Sequence, residues 1–492
     1  MRANHRGIAT AVSRCTHQRP IVRASFASGS RWSSSESRQW STPLAKSLAE
    51  AITTTGPVSV AAYMRQCLTS PDGGYYTSRN DDGDQFGKKG DFITSPEISQ
   101  VFGELVGVWV VAEWIAQGKK SSGVQIMEVG PGRGTLMDDM LRTIRNFKPM
   151  ADSVEAIYMI EASPSLRDAQ KKLLCGDAAM EEIDIGFQSK CKYFENLKII
   201  WCEDIRFISK DATKSPFIIA HEFFDALPIH VFQSVEPTPN TSPILTPTGP
   251  IPRPKAPPSS QWRELLISPT PEHSPSSTTP PLLDFQLTLS TAPTPHSQYL
   301  PLTSPRYAAL AKTPGAIIEI SPESLSYAAD FATRIGGSTD ARSALPSGAA
   351  LILDYGPSAT IPTNSLRGVR AHKPVSPLAA PGKVDISADV DFVALAEAAI
   401  KASPGVEVHG PVKQGVWLGA MGIRERAEVL VRKARGKGEG EEGVGRIEGG
   451  WKRLVDRGPT GMGRIYKAMA IVPHVAGKDG RRPVGFGGDV GV

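Results

Sequence analysis

Along this chain, short apolar runs keep ending in an acid, and amphipathic stretches fill the intervals between them. The run Val124-Gln-Ile-Met-Glu-Val129 carries Glu128 near its end, and Leu136, Met140, Leu141 and Ile144 then recur at helical spacing. Residues 156–160 stop at Glu161, and 166–174 again follow a helical period. Ile199-Ile200-Trp201 precedes Glu203-Asp204, and 217–220 precede His221-Glu222-Phe223-Phe224-Asp225. Residues 349–353 precede Asp354-Tyr355-Gly356. Apolar strands alternating with helices predict an α/β fold with a parallel sheet. The acids fall at one end of it, the end at which open sheets of this kind bind ligands.

The flanks read differently. Residues 43–70 predict two helices broken at Gly56-Pro57, the second capped by Ser59. Ser95 as cap, Pro96 and Glu97 then predict the start of one long helix with Ile98, Phe102, Leu105, Trp109 and Ala112 on its apolar side. Ser321-Pro322-Glu323 marks another helix start, 361–391 a loop, Phe392 a further helix and 466–472 a last strand. Residues 435–448 read as a Gly/Glu/Lys-rich linker, and the tail 476–492 as disordered. Eighteen of the 41 prolines lie in 236–305, too many for regular structure, except at 262–268 and 283–290, which predict a hairpin.

Composition changes the picture in one place. Residues 1–40 hold seven arginines, many serines and a single acid, the profile of a mitochondrial transit peptide. Setting them aside removes seven of 55 basic and one of 50 acidic residues, leaving 48 against 49. The net charge of +5 therefore sits in the leader, and the near-neutral remainder argues against a nucleic-acid partner. Five scattered cysteines lack metal-ligand spacing; one lies in the leader and the other four predict reduced, packed thiols, and no apolar run is long enough for a membrane span.

After Val129 come Gly130, Gly132 and Gly134. Strand, glycine turn and helix make the entry to a nucleotide-type pocket, because glycine lets the backbone turn sharply and approach a ligand. The spacing G-x-G-x-G counts against a nicotinamide enzyme, which wants G-x-G-x-x-G.

Several motifs in order then identify a resemblance. Residues 90–104, 128–136, His221-Glu-Phe-Phe-Asp-Ala-Leu-Pro228, Asp354-Tyr-Gly356, Leu366-Arg-Gly368, Ala388-Asp-Val-Asp-Phe392 and Gly461-Met-Gly463 resemble the MidA-type S-adenosyl-L-methionine (SAM)-dependent methyltransferases, over roughly 55–475. The resemblance implies a class I, Rossmann-like methyltransferase fold. It implies a SAM-binding core at 121–235 and 306–360, an N-terminal helical segment at 41–120 packing on it, the Pro/Ser-rich insertion 236–305, and a C-terminal part at 361–475. For mitochondrial members it implies symmetric dimethylation of an arginine on a complex I core subunit in the matrix. Oligomeric state is not implied.

Residue chemistry fits that expectation. The 130–134 turn would lie against the cofactor, with Glu128 holding its cationic end, Glu161 accepting from both ribose hydroxyls and Asp204 meeting the adenine amino group. Arginine stays protonated and is a poor nucleophile. Glu222 and Asp225, three apart, could grip a guanidinium and localise its charge, although Asp225 has a second reading as a helix cap. His221 could accept a proton or simply pack, Asp91 and 95–97 could close over the cofactor, and Asp354 could line a substrate channel. Two rival readings remain: a SAM enzyme with another acceptor, and a non-catalytic assembly factor that retains the fold.

Overall fold

A computed structural model describes residues 38–77, 93–236, 244–251, 260–271, 283–338, 345–438, 440–474 and 481–488. Among them the larger sheet has nine strands: β1 (Val124–Val129), β2 (Val154–Ile160), β3 (Met180–Ile183), β4 (Gly186–Lys190), β5 (Lys198–Cys202), β6 (Ser215–His221), β7 (Ala349–Tyr355), β8 (Val406–Lys413) and β9 (Tyr466–Pro473). Their order across the sheet is β8-β9-β7-β6-β1-β2-β5-β4-β3. The five central strands β5, β2, β1, β6 and β7 are parallel. The last strand, β9, inserts antiparallel between β7 and β8, and β3 and β4 extend the other edge antiparallel.

This is the Rossmann-like methyltransferase fold that the motifs imply. Every residue of β6 and β7 is buried, as expected of parallel strands covered on both faces. Helices Gln100–Ala116 and Thr135–Ile144 cover one face, and Pro322–Gly336 and Phe392–Ala402 the other. The first pair lies close because Gly103 has no side chain; a β-carbon there would stand 2.5 Å from that of Asp139. The chain leaves β1 toward β2 on one side and returns to β6 on the other. That reversal opens a crevice at the carboxyl ends of the central strands.

A second sheet runs in the order Val58–Ser59, Gln261–Pro269, His230–Val235, Ile317–Ile320. Phe285–Leu289 pairs antiparallel with Gln261–Pro269, which is the hairpin expected between the two islands of the proline-rich region. Ile317–Ile320 pairs with His230–Val235 here and not with the central sheet, where the sequence reading had put 306–360. Helices Pro43–Thr55 and Val60–Thr69 also pack on this second sheet, burying Ile52, Tyr63 and Leu68 against Ile267 and Phe285. The segment expected to lie on the core is thus divided, and of its helices it is Gln100–Ala116 that covers the central sheet.

Other expectations are corrected by tertiary packing. The helix start near 95 is capped by Thr94 and Glu97 as a capping box, not by Ser95, and it breaks at Ser99 before resuming at Gln100. Part of the expected loop 361–391 is a three-stranded sheet of Arg367–Arg370, Lys373–Val375 and Asp385–Ser387. The helix Glu441–Val455 begins inside the expected linker 435–448, and its Val444, Ile447, Trp451 and Leu454 pack inward despite the four glycines the helix carries. Cys67, Cys175, Cys191 and Cys202 are free and buried, as read. No helix among the described residues is long and apolar enough to cross a membrane. Residues 1–37 of the leader, Asp91, 475–480 and 489–492 of the tail, and 237–243, 252–259 and 272–282 of the insertion lie outside the described residues.

The described part of the tail is packed, against expectation. Phe486 is buried, and the Trp109 indole donates to the Val484 carbonyl at 3.2 Å. Arg481 Nη2 donates to both oxygens of Glu113 at 2.8 and 2.7 Å. Glu113 is fully buried, and burial raises its carboxyl despite Arg481. Arg481→Ala is therefore expected to lower unfolding free energy by about 2 kcal/mol in urea titrations, because it strands a buried acid. A change within 0.5 kcal/mol, the usual range for a surface site, would mean that the tail contributes nothing to the fold.

Candidate active site

The glycine turn is where the backbone bends most sharply. Gly130, Gly132 and Gly134 have φ of 64°, 52° and 84°, the left-handed region that favours glycine. The Gly130 N–H donates to the Ile160 carbonyl at 3.1 Å, and the Gly134 N–H to the Pro131 carbonyl at 2.8 Å. A β-carbon at Gly130 would come within 2.7 Å of the Phe223 ring. The turn therefore presents bare backbone to the crevice. Helix Thr135–Ile144 starts directly after it, with Gly134 as cap and no side-chain cap bond.

Two acids flank this turn. Glu128 is 2% exposed, and its Oε2 has no hydrogen-bond partner. Burial, then the neighbouring Glu161 charge, pushes its carboxyl well above the usual range. Glu161 accepts from the Ser163 N–H at 2.8 Å and from Gln170 Nε2 at 3.1 Å. Burial raises it to about 7. Gln170, fully buried, also donates to the Gly132 carbonyl at 2.6 Å and accepts from the Trp201 indole at 2.9 Å. Sequence reasoning missed Gln170. Its signal was a polar residue set between Leu166 and Leu174 on an otherwise apolar stripe.

Asp204, expected to meet the adenine amino group, is engaged within its own turn. Its carboxylate caps Ile205–Phe207 and takes the Arg206 N–H, Nε and Nη2, while its neighbour Glu203 lines the cavity. An acid that can cap a turn and pair with an arginine two residues on is satisfied locally.

At the other end of the same crevice, β6 runs into His221-Glu222. Glu222 has φ of 49°, uncommon for a side chain with a β-carbon. Asp354, fully buried at the end of β7, holds this bend: one oxygen accepts from the Phe223 and Phe224 N–H groups at 3.2 and 2.9 Å, and the other from the Tyr355 N–H at 2.9 Å. Asp354 thus braces the loop and does not line the cavity. Asp225 lies inside the short turn Phe224–Ala226, so it is no helix cap. The Tyr355 hydroxyl donates to one of its oxygens, and the other has no partner. Burial, then Glu222, raises Asp225 to about 6; Tyr355, Arg367 and His221 pull it down. His221 Nε2 stands 3.1 Å from Glu222 Oε1, but both atoms lack a hydrogen bond of good geometry.

Both ends open into one cavity of about 330 Å³, lined by Glu128, Gly130, Gly132, Glu161, Glu203, His221, Glu222 and Asp225, with Tyr76, Tyr355 and Asp385 also on its wall. Thr94, Pro96 and Glu97, from the helix start expected to close over the cofactor, line it as well. A cradle of bare backbone beside unpartnered buried carboxylate oxygens can take a cation with a polar tail. The second set of acids can take another cation next to it.

Residues 105–412 match the family described as "Putative S-adenosyl-L-methionine-dependent methyltransferase". The chain belongs to that family. It is 34% identical over 436 residues to the protein arginine methyltransferase NDUFAF7, mitochondrial, of Xenopus laevis, covering 86% of this chain and 83% of the relative. The human protein of that name is 33% identical over 444 residues, covering 89% and 86%. A superfamily member from Burkholderia thailandensis, crystallised with S-adenosyl-homocysteine, shares the fold at TM-score 0.62 and 19% identity, covering 92% of this chain and 94% of that one. SAM is the family's cofactor. The side-chain-free turn and the free oxygen of Glu128 fit a ligand that carries a sulfonium and an amine.

Gly132→Val is expected to abolish SAM binding in calorimetry, a loss of at least about 100-fold, because a β-branched residue at this φ is strained and crowds the cradle. Circular dichroism should stay at wild type. Unchanged affinity would remove the turn from the site.

Proposed function

We propose that the protein is a SAM-dependent protein arginine N-methyltransferase of the mitochondrial matrix, acting on a complex I core subunit and forming symmetric dimethylarginine. The observation that supports this most is the single cavity joining the glycine cradle to Glu222 and Asp225. The Arg-rich leader agrees with it, as do the relatives, which are mitochondrial protein arginine methyltransferases. The complex I subunit and the symmetry of the product rest on the family resemblance.

In this reading the 130–134 turn and Glu128 hold the methionine end of SAM, and Glu161 its ribose; Glu203 replaces Asp204 at the adenine side. When bound, SAM supplies an electrophilic methyl group. Glu222 and Asp225 take the substrate guanidinium, whose pKa above about 12 keeps it charged and unreactive in water. Paired carboxylates draw the positive charge toward two of its nitrogens, so that the third keeps more electron density and is held in line. Tyr355 orients Asp225, and Arg367, over the Tyr355 ring at 4.5 Å, is tied to Asp389 at 2.7 Å. Glu222 lies next to His221, which can accept a proton once the guanidinium is methylated.

Glu222→Gln is expected to leave SAM affinity within about twofold and to slow transfer to an arginine peptide about 100-fold. Wild-type activity would remove Glu222 from the clamp. The clamp must be ionised to hold a cation, so activity at limiting substrate should rise with pH through about 6, following Asp225, and level off above it. Glu222→Gln removes a like charge and should shift that inflection down; an inflection that stays in place would detach it from Asp225.

The proposed substrate is tested by mass spectrometry of complex I subunits from cells with and without this gene. Loss of a symmetric dimethylarginine is expected. Unchanged arginines with poor complex I assembly would favour the non-catalytic reading, and calorimetry with SAM would then show whether cofactor binding survives.

A further inference from the structure

Away from the cavity, three side chains of the second sheet converge. His230 opens strand His230–Val235, Glu264 lies on its neighbour Gln261–Pro269, and His296 on the short helix Pro295–Tyr299. Glu264 pairs in register with Phe232, so His230, two residues earlier, falls on the same face. His230 Nδ1 stands 2.7 Å from Glu264 Oε1, and His296 Nδ1 3.8 Å from Glu264 Oε2. The two rings lie 4.2 Å apart, and one ligand atom from each residue falls within 4.8 Å of the others.

Glu264 is 1% exposed, and among the described residues its ion-pair partners are these two imidazoles, with no lysine or arginine. The Thr294 hydroxyl also donates to Oε2. Two nitrogens and one carboxylate oxygen form the three-ligand set that zinc takes when a fourth position is left open. Ligand atoms around a tetrahedral ion stand about 3.3 Å apart for metal–ligand bonds of about 2.0–2.1 Å; one atom from each of the three residues lies within 4.8 Å of the others, so a small inward shift of the side chains reaches that spacing. The His296 side chain is 54% exposed, so it is free to swing inward and leaves the ion a path from solvent.

We propose that His230, Glu264 and His296 bind a zinc-like divalent transition-metal ion, with solvent in its fourth position. The three ligands come from three elements. The ion would fasten two neighbouring strands to the short helix Pro295–Tyr299 within the proline-rich insertion, a structural role independent of methyl transfer.

The test strips the untagged protein with chelator and titrates it with Co²⁺, then displaces the cobalt with Zn²⁺. Expected are one equivalent of cobalt with the visible absorption of a low-coordinate ion, displacement by zinc, and a higher Tm with zinc present. His296→Ala, at an exposed position that leaves the fold intact, should weaken binding at least about tenfold and cancel the Tm gain. Glu264→Gln should do the same. No binding at micromolar zinc, or wild-type binding in both variants, would overturn the proposal. So would loss of the ion in His409→Ala, whose ring stands 3.3 Å from Glu407 beside His474.

Discussion

Carboxylates taken out of water must be neutralised by a proton or answered by a cation. This structure gathers them at the carboxyl ends of its parallel strands: Glu128 and Glu161 around the glycine turn, Glu222, Asp225 and Asp354 around the bend after β6. Burial raises Glu128, Glu161, Asp225 and Asp354, and mutual repulsion adds to it at Glu128, Asp225 and Asp354. Such a cavity disfavours anions and favours cations. Both partners in the proposed reaction, a sulfonium and a guanidinium, are cations. The same desolvation that penalises the bare carboxylates favours cations placed beside them.

The scaffold around these acids is built to keep them from relaxing. Asp354 fixes the loop that carries Glu222, whose left-handed backbone costs of order 1–3 kcal/mol and needs such a brace. Gln170 ties Glu161 to the glycine turn and to Trp201 on β5, so cradle and acid move together. Tyr355 links the end of β7 to Asp225. Strands β2, β5, β6 and β7 thereby set the position of one site, and the second sheet carries its own packed helices.

How much of this the chain discloses depends on the range of the interaction. Glu128, the three glycines, Glu161 and Glu222 were legible because an acid or glycine at a strand end is a local pattern. Asp204 caps its own turn while Glu203 lines the cavity, a division not legible in the sequence because strand periodicity does not say which of two consecutive acids turns back. The roles of Asp354 and Gln170 depend on backbone groups of distant segments, which no local period records. Glycines at 443, 445, 449 and 450 hid a helix whose apolar face finds its partners only in the folded chain. The packed tail at 481–488 rests on Glu113, 368 residues away from Arg481.

The central claim, that buried acids are held for cations, is tested most directly by counting the protons released when SAM binds. Calorimetry at pH 6.5 in buffers of different ionisation enthalpy gives that number. With Glu161 raised to about 7, binding should expel roughly half a proton or more beyond what the Glu161→Gln variant releases. Equal proton release in the two proteins would contradict the account, because Glu161 would then be indifferent to the cofactor.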